Sequence, residues 1–83
     1  MKIKYYQDAG HGWLAVKRKI LAEWDLLKLI TPCSYQRGET VYLEEDQDAS
    51  VFLKKGREHG VKFIFEIKHC ERSPIRPYEC FSI

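Results

Sequence analysis

The spacing of apolar residues changes rhythm along this chain, and each change marks an element. Residues 2–6 alternate, with Ile3 and Tyr5 set against Lys2, Lys4 and Tyr6. That period of two predicts a strand with one buried face. A loop follows at Asp8-Ala9-Gly10-His11-Gly12, and Trp13-Leu14-Ala15-Val16 predicts a short second strand. From Lys17 the period lengthens. Ile20, Leu21, Trp24 and Leu27 make one helical stripe, with Lys17, Arg18, Glu23, Asp25 and Lys28 toward water. Thr31-Pro32 ends it, because a residue before proline is pushed out of the α region.

Cys33–Gln36 and Thr40–Glu45 predict two strands joined by a three-residue loop, Arg37-Gly38-Glu39, whose glycine supplies the left-handed position. Val41 and Leu43 point one way, and Thr40, Tyr42 and Glu44 the other. Asp46 or Asp48 is the expected cap of a second helix with a narrow stripe of Ala49, Phe52 and Leu53. Gly56 is expected to weaken that helix by about 1 kcal/mol relative to Ala, and Gly60 to end it. Residues 61–68 place Phe63, Phe65 and Ile67 on one face, which predicts a central strand. Ser73-Pro74 and Arg76-Pro77 break the tail, and Tyr78–Ile83 is the expected last edge strand. The order β-β-α-β-β-α-β-β predicts an α+β domain: one small, mostly antiparallel sheet with two helices on one face.

Eighty-three residues make a single domain with one modest core. Three cysteines, Cys33, Cys70 and Cys80, with no CxxC pair, predict a reducing cytosol and no disulfide scaffold. The first residues lack the apolar run of a signal peptide. No stretch reaches the roughly 18 apolar residues of a membrane span, so no membrane association is expected. The net charge of +2 is too small to argue for nucleic acid by itself.

Several residue groups could carry chemistry. Glu44, Glu45, Asp46 and Asp48 form an acidic elbow. Its spacing does not match a calcium loop, and two of its acids have work as caps, so no metal is expected. Glu44 and Glu45, beside Tyr42, remain to meet a basic partner. His11 could act as a general base oriented by Asp8, but no nucleophile motif accompanies it. His59, His69, Cys70 and Cys80 lack the paired spacing of a structural zinc site. No cofactor is expected. The basic residues fall in three groups: Lys17-Arg18-Lys19, Lys54-Lys55-Arg57, and Arg72 with Arg76. The first two sit on expected helices, where they could join into one phosphate-binding patch, with Tyr5/Tyr6 or Tyr35/Tyr42 adding stacking.

Gly10-His11-Gly12-Trp13-Leu14, Ser34-Tyr35-Gln36-Arg37-Gly38 and Tyr42-Leu43-Glu44-Glu45-Asp46-Gln47-Asp48-Ala49 together resemble a group of small proteins encoded by tailed phages and by prophages of Gram-negative bacteria. The similarity runs to about Phe52 and is loose beyond it. It implies a setting, the cytoplasm of a bacterial host cell, and transfers no functional residues. The expectation is therefore a small non-enzymatic accessory protein that binds a host or phage macromolecule, possible inhibition of host machinery or defence included. Its contact surface would be Glu44, Glu45, Tyr42, Tyr35 and Trp13. Two alternatives stand beside it: nucleic-acid binding through Lys17, Arg18, Lys19, Lys54, Lys55 and Arg57, and a small enzyme using His11 with Asp8. A homodimer through the Tyr78–Ile83 edge is also open.

Overall fold

The computed structural model of the chain describes residues 1–69, 75 and 77–82. Residues 70–74, 76 and 83, Cys70, Arg72, Ser73-Pro74 and Arg76 among them, lie outside the described residues. In order, the elements are β1 (Lys2–Gln7), β2 (Gly12–Lys17), α1 (Arg18–Glu23), a 3-10 turn (Leu27–Leu29), β3 (Tyr35–Arg37), β4 (Thr40–Glu44), α2 (Asp48–Glu58), β5 (Ile64–His69) and β6 (Glu79–Cys80). They build one six-stranded sheet in the order β5-β1-β2-β4-β3-β6. Every pairing is antiparallel except β5 with β1. This is the α+β architecture that the alternating pattern predicts.

The alternation decides which side carries the core. Ile3, Leu14, Val16, Val41 and Leu43 project from one face and meet Leu21 of α1 and Ala49 and Phe52 of α2. Leu21, Leu43 and Phe52 are fully buried. Side chains of this size contribute about 1.5–3 kcal/mol each when withdrawn from water. Both helices therefore cover the same face, and the other face is left to the polar half of each strand. No helix among the described residues is long and apolar enough to cross a membrane.

The first helix is much shorter than its stripe predicts. α1 stops at Trp24, and Asp25 takes a left-handed φ of 58°. The Asp25 N–H donates to Ala22 O and the Leu26 N–H to Leu21 O, the bonding of a Schellman motif. The cause is Leu26, which lies off the stripe. Turning the chain buries it to 2 % exposure and brings Ile30 into the same cluster. Lys17 is the last residue of β2 and only the N-cap of α1, where it makes no side-chain cap.

Four more local expectations change. Arg37 pairs with Thr40, so the hairpin loop is the two-residue Gly38-Glu39 turn, with Gly38 at φ 59°. A positive φ at the first central residue suits the strand twist of a type II′ turn. Neither Asp46 nor Asp48 caps α2. Gln47 is the N-cap, without a side-chain bond, and Asp48 turns inward. Residues 61–68 do not form a central strand. β5 is an edge strand with Phe65 and Ile67 exposed, because α2 carries the chain from β4 past β2 and β1 to the sheet margin. Gly56 is a packing requirement: a Cβ there would run into the Phe63 ring. Gly60 does close α2, at φ 74°, with the Gly60 N–H bonded to Arg57 O and the Val61 N–H to Gly56 O. The last edge strand is present but short, Glu79–Cys80.

Candidate functional site

The sheet face opposite the helices gathers the residues that alternate away from the core. Register places Lys4 opposite Ala15, Ala15 opposite Tyr42, and Tyr42 opposite Tyr35. One step along, Lys17 meets Thr40 and Thr40 meets Arg37. One step the other way, Tyr6 meets Trp13 and Trp13 meets Glu44. The strand ladders thus set Lys2, Lys4, Lys17, Lys68 and Arg37 on this face against Glu44 and Glu66. Both carboxylates have internal partners. Glu44 Oε1 lies 3.6 Å from His11 Nδ1, and Glu66 Oε1 lies 2.9 Å from Lys68 Nζ. The hydrogen bond and charge of Lys68 hold the Glu66 carboxyl below its ordinary value.

Ala15 is the smallest side chain in its row, and its larger neighbours leave a groove over it. The groove has a volume of about 320 Å³. Lys2, Lys4 and Lys17 line it together with the half-buried rings of Tyr6 and Tyr42. No carboxylate lines it among the described residues. The rings continue beyond the groove. Tyr6 and Tyr42 meet edge to face at 6.0 Å, Tyr42 and Tyr78 lie tilted at 5.2 Å, and the Arg37 guanidinium stands 5.0 Å over Tyr78. Burial, with Tyr78 and Tyr6 adjacent, pushes the Tyr42 hydroxyl up from its ordinary value, so it remains a neutral donor at physiological pH.

Four of the five residues expected at a partner surface share this face. Trp13, Tyr35 and Glu44 line a second concavity with His11, Cys33 and Gln47, and Tyr42 pairs with Tyr35 in register. Trp13 is only 2 % exposed, so it supports the face from beneath. Glu45 is separated from them. It sits on the helix side, where its carboxylate accepts a hydrogen bond from the Tyr5 hydroxyl. The acidic elbow therefore splits between two faces.

The basic helical groups divide as well. Lys17 belongs to the sheet groove. Arg18 is committed to the fold: its guanidinium donates to Gln36 Oε1 at 3.1 Å and Ser82 O at 3.0 Å and stands over the Phe81 ring. Lys19, Lys54 and Arg57 are exposed, and Lys55 is half-buried. Asp8 Oδ1 accepts the backbone N–H of Gly10 and of His11, shaping the loop, and the Glu44 carboxylate lies 3.6 Å from the His11 imidazole.

No family model, curated protein or solved structure matches this chain. The groove must be read from its own chemistry. Lys2 and Lys4 carry no motif, and the signal for them is their alternation with Ile3 and Tyr5, which puts them on Tyr6's side. That Lys17 and Tyr42 join them depends on strand order, which alternation does not encode.

Proposed function

We propose that this chain is a non-catalytic binding protein, acting in the phage or prophage setting that its sequence resembles, and that it holds single-stranded nucleic acid across the sheet face opposite the helices. The observation that carries this reading is the groove of Lys2, Lys4 and Lys17 beside Tyr6 and Tyr42, with no carboxylate lining it among the described residues. Lysines at a groove attract a phosphate backbone, and aromatic rings on a sheet supply surfaces on which unpaired bases stack. A duplex keeps its bases stacked on each other, so a sheet of this kind favours single strands. The acidic elbow supports a protein contact less well. Glu44 and Glu45 lie on opposite faces, and each has an internal partner.

The test is fluorescence anisotropy with a labelled single-stranded oligonucleotide and its duplex at low salt. The single strand is expected to bind more tightly. Equal affinity for both forms, or no binding to either, would remove the proposal.

A further inference from the structure

β5 is an edge strand with one neighbour among the described strands, and it is the more apolar of the two sheet margins. Ile64, Phe65 and Ile67 are 65 %, 41 % and 54 % exposed. An edge of this kind is a template for another strand. Phe65 and Ile67 also border an apolar groove of about 340 Å³ with Tyr5, Leu14, Ala49 and Leu53.

The backbone directions are fixed by β1. The Ile64 N–H donates to Met1 O at 2.8 Å, so Ile64, Glu66 and Lys68 direct their peptide groups toward β1. Phe65, Ile67 and His69 then direct theirs outward, to the free edge. A second copy related by a two-fold axis normal to the sheet would present the same outward groups in antiparallel sense. Helix faces stay on the same side under that axis, so only residues alternating to the same face can oppose one another.

Charge selects among the registers that remain. With Ile67 opposite its own copy, Phe65 opposes His69 and Glu66 opposes Lys68, twice over by symmetry. The charged pairs occupy the closer, non-hydrogen-bonded positions, where opposite charges stabilise an antiparallel ladder. Centring on Glu66 sets Glu66 against Glu66, and centring on Lys68 sets Lys68 against Lys68. Centring on Phe65 leaves Glu66 against Ile64. We infer that a second copy of this chain docks on β5, forming an antiparallel two-fold ladder centred on Ile67 with reciprocal Glu66–Lys68 pairs. Within one copy Glu66 and Lys68 pair along the strand at 2.9 Å, and the ladder exchanges that contact for the two reciprocal pairs between copies. The inference does not depend on what the groove over Ala15 binds.

Sedimentation equilibrium of the full chain tests it, without nucleic acid present. The wild type is expected to be a dimer. Ile67→Pro removes an N–H that faces away from β1, so a folded monomer is expected by circular dichroism and sedimentation. Glu66→Lys or Lys68→Glu alone is expected to weaken dimerisation by about tenfold or more, and the double exchange Glu66→Lys with Lys68→Glu to restore it. These charge variants keep the test decisive even if Ile67→Pro fails to fold. A monomeric wild type, a dimer indifferent to both single exchanges, or a double exchange that fails to restore pairing would overturn the inference.

Discussion

Ser34 Oγ donates a hydrogen bond to Asp48 Oδ2 at 2.5 Å and accepts one from the Glu44 N–H at 3.0 Å. Asp48 is 1 % exposed and Ser34 fully buried. The same Asp48 oxygen also takes the Thr31 N–H at 3.0 Å and the Thr31 hydroxyl at 2.9 Å. A carboxylate read as a helix cap is instead the anchor that ties the loop before β3 to the start of α2 and the end of β4. It thereby holds in place the strand that carries Tyr42.

Ser34→Ala leaves a buried carboxylate and a backbone N–H each short of a partner. The expected cost is about 1–3 kcal/mol, seen as a lower urea midpoint at unchanged slope. Asp46→Ala, at an exposed position in the same turn, is expected to fall within about 0.5 kcal/mol of wild type. Equal effects from the two changes would mean that burial of the Asp48 network is not what stabilises the elbow.

Gly56→Ala separates local propensity from packing. Helix propensity alone favours Ala by about 1 kcal/mol. The new Cβ meets the Phe63 ring, and the Trp24 ring is 3.3 Å away, so net destabilisation is expected. Phe63→Leu in the same chain relieves the contact, and the double variant is expected to be more stable than the sum of the two single changes. Thermal unfolding of all four proteins checks this.

Tyr5 supplies a pH dependence. Burial, then the hydrogen bond and charge of Glu45, push its hydroxyl from an ordinary 10.0 up to about 12. The proton is held more tightly in the folded chain than in the unfolded one. The stabilisation is therefore complete below pH 10 and is lost as pH rises through about 12. The stability difference between wild type and Tyr5→Phe is expected to narrow across that window. A difference that stays constant would show that Tyr5 contributes only through packing.

The alternation of Ile3 with Lys4, and of Val41 with Tyr42, made two strands and their faces readable from the chain. Strand order was not readable. Phe63, Phe65 and Ile67 have the pattern of a central strand, yet Phe63 packs against Phe52 of α2 while Phe65 and Ile67 run out to an exposed margin. Local pattern reports that a face is apolar and not what covers it. Leu26 shows the same limit. One leucine off the helical stripe was the signal that the helix turns, and its weight is clear only once the core around it is assembled. The candidate site was half visible. Tyr6, Tyr42 and Lys17 stand out in the sequence, but the groove joining them to Lys2 and Lys4 is a product of register.

Stacking and charge contribute to the proposed groove in different ways. Tyr6→Leu keeps apolar volume without an aromatic face. It is expected to lower single-strand affinity by about 1–3 kcal/mol, roughly 5- to 150-fold, with little change in salt dependence. A purely electrostatic groove would show no loss.

The most direct measurement is the salt dependence of oligonucleotide affinity, followed by anisotropy for wild type and for the Lys2→Gln, Lys4→Gln, Lys17→Gln triple variant. Each phosphate contact on a single strand contributes about −0.7 to the slope of log affinity against log salt. With the fold intact by circular dichroism, the triple variant is expected to bind more weakly and with a slope shallower by about 2. Wild type that binds no single strand at low salt, or a triple variant with unchanged affinity and slope, would contradict the account.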